Sequence, residues 1–186
     1  MPPSRRAMPP AKSRGAIGMQ VIEGQVAQML HEEHVAVLEL LSRLTGVLNR
    51  NGPGAPPEAK NPAIGQLLGQ LAAAIETEIK THFYFEETML FPLLDANGEG
   101  EMRAMYIEDH RAIVPLGEKA AAMARAVGIQ GFDPQTWAAF HPVAAEFADR
   151  LIRHAEAEEA ALVPLLGEFL DSDEDDRLAQ DYESMR

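Results

Sequence analysis

His82-Phe-Tyr-Phe-Glu86-Glu-Thr-Met-Leu-Phe-Pro92-Leu-Leu recurs 72 residues later as His154-Ala-Glu-Ala-Glu158-Glu-Ala-Ala-Leu-Val-Pro164-Leu-Leu, with seven of thirteen positions identical. Each copy sets a histidine four residues before a glutamate and follows the pair with apolar side chains. On an α-helix that spacing puts the two side chains about 40° apart around the axis and one turn apart along it, so both leave the same face. Two convergent His/Glu pairs are what a dinuclear metal site needs.

Outward from the repeat, strong breakers divide the chain into four long segments. Asn51-Gly-Pro-Gly-Ala-Pro-Pro and Asn61-Pro separate the first from the second, Asn97-Gly-Glu-Gly the second from the third, and Gly128-Ile-Gln-Gly-Phe-Asp-Pro the third from the fourth. Within the segments apolar residues recur at three and four. Leu30, Val37, Leu41, Leu44 and Leu48 form one stripe, and Leu67, Leu71, Ile75, Met89 and Leu93 a second. Trp137, Ala144, Phe147, Leu151, Leu165 and Phe169 form that of the last segment. This is helical periodicity, with no stretch of period two. Asp133-Pro134 reads as a helix start, an acid at the N-cap before proline at the first helical position. Helices over roughly 21–48, 63–96, 101–127 and 134–171, joined by short loops, predict an all-α, antiparallel up-down-up-down four-helix bundle. Pro115, inside the third helix, should bend it or end it locally.

The ionisable residues fall on the same stripes. His34 stands four after Leu30 and three before Val37, a position suited to an aliphatic side chain. His82 and Glu86 keep the phase of Ile75 and Met89, and His154 and Glu158 follow Leu151. His110 joins Met102, Tyr106, Ile113, Gly117 and Ala121 on the third stripe. Six polar side chains thus point into one core, each histidine near mid-helix and therefore at a shared level. A buried carboxylate without a partner costs several kcal/mol or changes its protonation state. A pair of cations would hold two carboxylates and four imidazoles together. Glu33-His34-Val-Ala-Val-Leu also echoes Asp109-His110-Arg-Ala-Ile-Val, so each half of the chain reads as a helical hairpin contributing His…His-x-x-x-Glu.

Composition bounds the rest. At 186 residues the chain suits one globular domain, and without cysteine it has no disulfide, thiolate site or iron–sulfur ligation. The formal charge is −13; the first twenty residues hold four bases and no acid, so the remainder carries −17. Nucleic acid is a poor partner for such a surface. No apolar run approaches the length of a bilayer, and the chain is read as soluble, without a membrane partner, and cytoplasmic. Residues 1–18, rich in proline and arginine, read as a disordered basic tail, 19–171 as the bundle, and 172–186 as an acidic tail or short appended helix, with Leu178, Tyr182 and Met185 at helical spacing.

The order and spacing of these six positions resemble the hemerythrin-like proteins, whose helical hairpins carry a cation-binding H…HxxxE…H…HxxxE pattern; the likeness spans roughly residues 21–171. That resemblance implies that His34, His82, His110 and His154 are terminal nitrogen ligands and that Glu86 and Glu158 bridge two iron ions, themselves oxo- or hydroxo-bridged. Imidazole and carboxylate donors also suit manganese or zinc, but two bridging carboxylates with four imidazoles favour six-coordinate iron over tetrahedral zinc. Family members bind or sense dioxygen, handle nitric oxide or peroxide, or store and donate iron. The expectation is a protein that reacts with or senses such small molecules, with catalase-like peroxide consumption as the enzymatic form. The alternatives are reversible oxygen binding or iron storage without turnover, and a metal-free helical interaction module. The sequence sets no oligomeric state.

Departures and neighbours sharpen the pattern. An oxygen carrier of this family has a fifth histidine one turn before its partner on the third helix, where this chain has Tyr106. That residue is a core tyrosine or, as phenolate, an additional ligand favouring ferric iron. His31, one turn before His34, is the other candidate ligand, although its neighbours suggest the rim. His31-Glu-Glu-His34 is not a zinc-protease motif, because its histidines are three apart instead of four. The Glu-x-x-His of ferritin-like di-iron bundles is absent too. His141, about 20 Å along the helix from His154, is expected at the bundle end. Glu87 and Glu159 are expected at the rim or in solvent, within reach of a hydrogen bond to a ligating histidine.

Overall fold

The computed structural model describes residues 22–186; the basic segment 1–18 lies outside the described residues. Those residues are helical, with no strand among them. The elements are α1 (Gln25–Arg50), α2 (Pro62–Ala74), α3 (Lys80–Phe85), α4 (Phe91–Ala96), α5 (Gly100–Val127), α6 (Pro134–Ala160), α7 (Leu162–Phe169) and α8 (Ser172–Met185). Turns of π-helix at Ile75–Ile79 and Glu86–Leu90 join α2, α3 and α4 into one continuous arm. None of the helices is long and apolar enough to cross a membrane.

Local chemistry sets the helix starts. Asn61 accepts the Ala63 N–H at 3.0 Å ahead of Pro62. Asp133 accepts the Thr136 N–H at 2.7 Å, and Thr136 Oγ1 accepts the Asp133 N–H at 3.0 Å, a reciprocal capping box ahead of Pro134. The expected start at Asp133-Pro134 is therefore present. Helix α1 has no side-chain cap of its own. Asp175 of α8 supplies one, accepting Gln25 N at 2.6 Å and Val26 N at 3.1 Å. Asp171 caps α8 in turn, accepting Asp173 N and Glu174 N. At the turn into α6, Gly131 takes φ 79° and its backbone lies so close to the preceding loop that a Cβ would sit 3.0 Å from the Ala59 Cα.

Helix α1 packs on α6 and α2, α2 on α5, and α5 on α6. The contacts run in reverse order along each pair. Near the end of α1, the Leu48 carbonyl accepts from His141 near the start of α6; near the start of α1, His34 meets Glu159 at the end of α6. Between the second arm and α5, Glu76 pairs with Arg125, Lys80 with Glu118 and Asp95 with Arg103. Two apolar clusters result. One gathers Leu41, Leu44, Leu71, Ile113, Trp137, Phe140 and Phe147, and the other Val26, Leu30, Phe85, Leu90, Phe91, Leu94, Tyr106, Leu162 and Tyr182. Along α1, α5 and α6 the cluster-lining residues change from one set to the other at the histidine, so the ionisable layer divides the core.

Two expectations need correction. The fourth helix does not run unbroken to 171: α6 ends at Ala160, Ala161 leaves helical geometry at φ −128° and ψ −55°, and α7 begins afresh. Pro164 is the cause, since it has no N–H for the Ala160 carbonyl and its ring crowds the preceding turn. The buried residues of α7 are Leu162, Val163 and Leu166, whereas Leu165 and Phe169 are only half-buried. In the second arm the π turn Glu86–Leu90 adds a residue to the turn and advances the buried face by one, so Leu90 and Leu94 are buried in place of the expected Met89 and Leu93. Of the two outcomes expected at Pro115, an end is excluded, because α5 is continuous from Gly100 to Val127. Residues 172–185 form a helix rather than a loose tail, with Leu178, Ala179 and Tyr182 buried.

Candidate metal centre

The four arms bring together the six positions that the repeat marks. His34 comes from α1, His82 from α3, Glu86 from the first residue of the second π turn, His110 from α5, and His154 and Glu158 from α6. None is more than 7% exposed. Glu86 spans two imidazoles, with Oε1 3.1 Å from His82 Nε2 and Oε2 3.3 Å from His110 Nε2. Glu158 does the same, with Oε1 3.2 Å from His154 Nε2 and Oε2 3.2 Å from His34 Nε2. Each carboxylate therefore gives one oxygen to the histidine on its own arm and the other to a histidine of the opposite hairpin. Two four-residue groups follow, His34/His82/Glu86/Glu158 and Glu86/His110/His154/Glu158, and in each the donor atoms lie within 4.8 Å of one another.

The outer imidazole nitrogens decide what faces inward. His34 Nδ1 donates to Glu159 at 2.7 Å, His82 Nδ1 to Glu33 at 2.7 Å, and His110 Nδ1 to Glu87 at 2.8 Å. A carboxylate only accepts, so in these three rings Nδ1 carries the hydrogen and a neutral imidazole presents a bare lone pair at Nε2. Those nitrogens face each other, His34 to His82 at 3.3 Å and His110 to His154 at 3.1 Å. The four oxygens of Glu86 and Glu158 are buried without a hydrogen-bond donor, as is the His154 Nδ1. Convergent lone pairs and carboxylate oxygens repel unless protons or cations lie between them. Nitrogen and oxygen donors without thiolate, in two groups sharing both carboxylates, fit a pair of borderline or hard cations.

The same crowding splits the proton affinities. Burial would raise the Glu86 carboxyl, but His82 and His110 hold it well below the usual range. Burial and the neighbouring Glu86 push Glu158 well above it. Burial draws His82 down, yet Glu86 and Glu33 outweigh it and hold the ring well above its ordinary value; His110 is raised likewise against burial by Glu86 and Glu87. Burial lowers His34, and takes His154, which lacks a partner on its outer nitrogen, to about 3. Two like carboxylates sharing a dry site cannot both ionise without added positive charge.

Aromatic rings wall the centre. Phe83 lies flat on His110, its centroid 3.7 Å away, and edge-on to His154. Tyr106 is fully buried between Phe91 and His154, and its hydroxyl donates to the Ala157 carbonyl at 3.3 Å. Burial, with Glu158 and Glu86 near, raises the phenol and keeps its proton on. His31 joins neither donor group; it donates to Glu159, the carboxylate that also holds His34. His141 lies away from the centre, against Trp137 and the Leu48 carbonyl. Glu87 and Glu159 take the hydrogen bonds that their position allowed. Spacing assigned no place at the centre to Glu33, Tyr182 or Arg186, which meet behind His82. The echo of Glu33-His34 in Asp109-His110 was a signal for the first, because each acid lies beside a histidine of the next arm. A cavity of about 310 Å³ borders His34, His82, His154 and Glu158, with Met29, Val37 and Leu40 among its apolar lining and Arg186 beside it.

No curated protein and no solved structure is significantly similar to the chain. The model of the hemerythrin HHE cation-binding domain, however, matches residues 25–181, which takes in all four arms, every residue of both donor groups and most of α8. With a match over most of its length, the chain belongs to the hemerythrin family.

Proposed function

We infer that the chain is a non-haem di-iron protein, an antiparallel up-down-up-down four-helix bundle that reacts with or senses a small oxidant such as peroxide, dioxygen or nitric oxide. The observation that carries this reading is the inward-facing set of imidazole nitrogens and carboxylate oxygens, with no hydrogen-bond donor on any oxygen of Glu86 or Glu158. The reversed order of contacts between neighbouring arms supports the bundle. His34, His82, His110 and His154 would each bind one cation, and Glu86 and Glu158 would bridge. The all-nitrogen-and-oxygen donor set and the shared carboxylates favour iron, with manganese or zinc less suited.

Bound iron would supply Lewis acidity and one-electron redox steps to a site that has no thiol. The chain's residues do the rest. Glu33, Glu87 and Glu159 fix three imidazoles in the tautomer that presents Nε2. Phe83, Phe91 and Tyr106 pack apolar ring surface around His110 and against His154. The cavity that reaches His34, His82 and His154 gives a small molecule a way in. Tyr106 replaces the carrier's fifth imidazole with a phenol turned toward a backbone carbonyl, which leaves more of the coordination sphere to exogenous groups. That favours reaction or sensing over reversible carriage.

Metal analysis after iron-replete expression should find two irons per chain, and the loaded protein should evolve oxygen from peroxide. Well under two metals per chain would sink the di-iron reading. Negligible oxygen evolution with full loading would rule out the peroxide-consuming form and leave sensing, carriage or storage. A His82→Ala/His154→Ala double variant with the parent's stability and spectrum would support the metal-free module.

A further inference from the structure

The two halves of the centre repeat each other closely, but their outer supports do not. On the His34/His82 side both supporting carboxylates are themselves held. Glu159 accepts from His34 and also from His31 at 2.8 Å. Glu33 accepts from His82, from the Tyr182 hydroxyl, and from Arg186 at 3.1 Å. On the His110/His154 side Glu87 is 43% exposed and has no second side-chain partner among the described residues. Asp109, the counterpart of Glu33, stands 3.6 Å from His154 Nδ1, too far for a hydrogen bond, and leaves that nitrogen unpartnered.

Helix α8 makes this difference. Tyr182 is fully buried, stacked on Phe85 at 4.1 Å with the rings 14° apart, so its hydroxyl is delivered to Glu33 by a rigid aromatic contact. Arg186 lies 5.7 Å from the Tyr182 ring and grips the other Glu33 oxygen. Asp175 ties α8 to the first turn of α1, the helix that carries Glu33 and His34. The second hairpin has no appended helix in the corresponding place among the described residues.

We propose that α8 makes the two cation positions unequal. Tyr182 and Arg186 act as positioning residues that lock Glu33 onto His82, so the His34/His82 position retains its metal more tightly than the His110/His154 position. Outer-sphere carboxylates orient the ligating imidazole and raise its basicity, and losing one costs roughly 10–100-fold in metal affinity. The inference rests on the six-residue reading of the centre given above.

The test is an anaerobic titration of the metal-free full chain with cobalt(II), read by equilibrium dialysis and visible absorption. The wild type should fill in two steps separated by about tenfold or more. His82→Ala should abolish the tighter step and His154→Ala the weaker one. Tyr182→Phe should weaken the tighter step by about tenfold and leave the weaker one within about twofold, bringing the two together. Arg186→Ala, at a half-exposed side chain, should shift the same step in the same direction and reads it even if the buried Tyr182→Phe substitution prevents folding. Asp109→Ala should move neither step appreciably. Equal steps in the wild type overturn the proposal, as does equal weakening of both steps or no change in either when the α8 residues are altered. Absence of any cobalt binding by the wild type would overturn the metal-centre reading itself.

Discussion

At the scale of single residues, the chemistry depends on which atom of each side chain faces inward. A histidine has two nitrogens, and the neighbour that takes one decides the use of the other. Glu33, Glu87 and Glu159 take Nδ1 and leave Nε2 to the centre. Tyr106 shows the converse case, since its hydroxyl already has the Ala157 carbonyl and its proton is held by burial beside Glu158 and Glu86. Tyr106→Phe should therefore cost no more than about 1.5 kcal/mol in urea unfolding, the net worth of one neutral hydrogen bond. The visible spectrum of the iron-loaded protein should not change. Loss of a broad phenolate-to-iron band in that variant would show instead that the ring turns to the metal. The presence of this phenol was legible in the sequence, but the direction of its hydroxyl depends on α6, 51 residues away.

At the scale of elements, two prolines equivalent in the repeat interrupt their helices in different ways. Pro92 follows a π turn that absorbs the lost hydrogen bond without breaking the arm, whereas Pro164 follows an outright break at Ala161. Both prolines were visible, but how the chain would yield was not, because neighbouring packing chooses between an added residue and a kink. The helix spans otherwise agree to within a few residues, since stripe periodicity and Gly/Pro/Asn breakers are local signals. Two substitutions test elements directly. Asp175→Ala removes the only side-chain cap on α1 among the described residues and should cost about 1–2 kcal/mol, with faster hydrogen exchange in the first turn of α1. Gly117→Ala gains helix propensity, about 1 kcal/mol, but drives a Cβ to 2.9 Å from the Phe147 ring and 3.2 Å from Ile75. Overpacking costs about 1–3 kcal/mol and outweighs that gain, so the variant should unfold at lower urea.

At the scale of the molecule, stability and metal are linked. The centre concentrates lone pairs and carboxylates between two apolar clusters, and cations that bind only the folded state stabilise it by mass action. At free metal about 100-fold above the dissociation constant the gain is about 2.7 kcal/mol. For a chain of this length that raises the unfolding midpoint by about 5–10 °C over chelated protein in calorimetry. Every ligand must shed its proton to bind, and Glu86 with Glu33 or Glu87 holds His82 and His110 above the ordinary imidazole value, so the difference should already shrink as pH falls through neutrality. A loaded and a chelated sample with the same midpoint at pH 7.5 would contradict the linkage.

The sequence by itself determined the helical class, the four arms, the six residues that meet in the core and the family, because each is written in spacings of a few residues and in a repeat of those spacings. The tertiary structure alone decided what stands behind the donors. Glu33 supports His82 across 49 residues, Tyr182 reaches Glu33 across 149, and one hairpin has a helix at its back that the other lacks. Such contacts leave no periodic trace, since the residues that meet are set by how the arms pack and by where a proline or a π turn shifts their register. The repeat describes two equal halves, and packing makes them different.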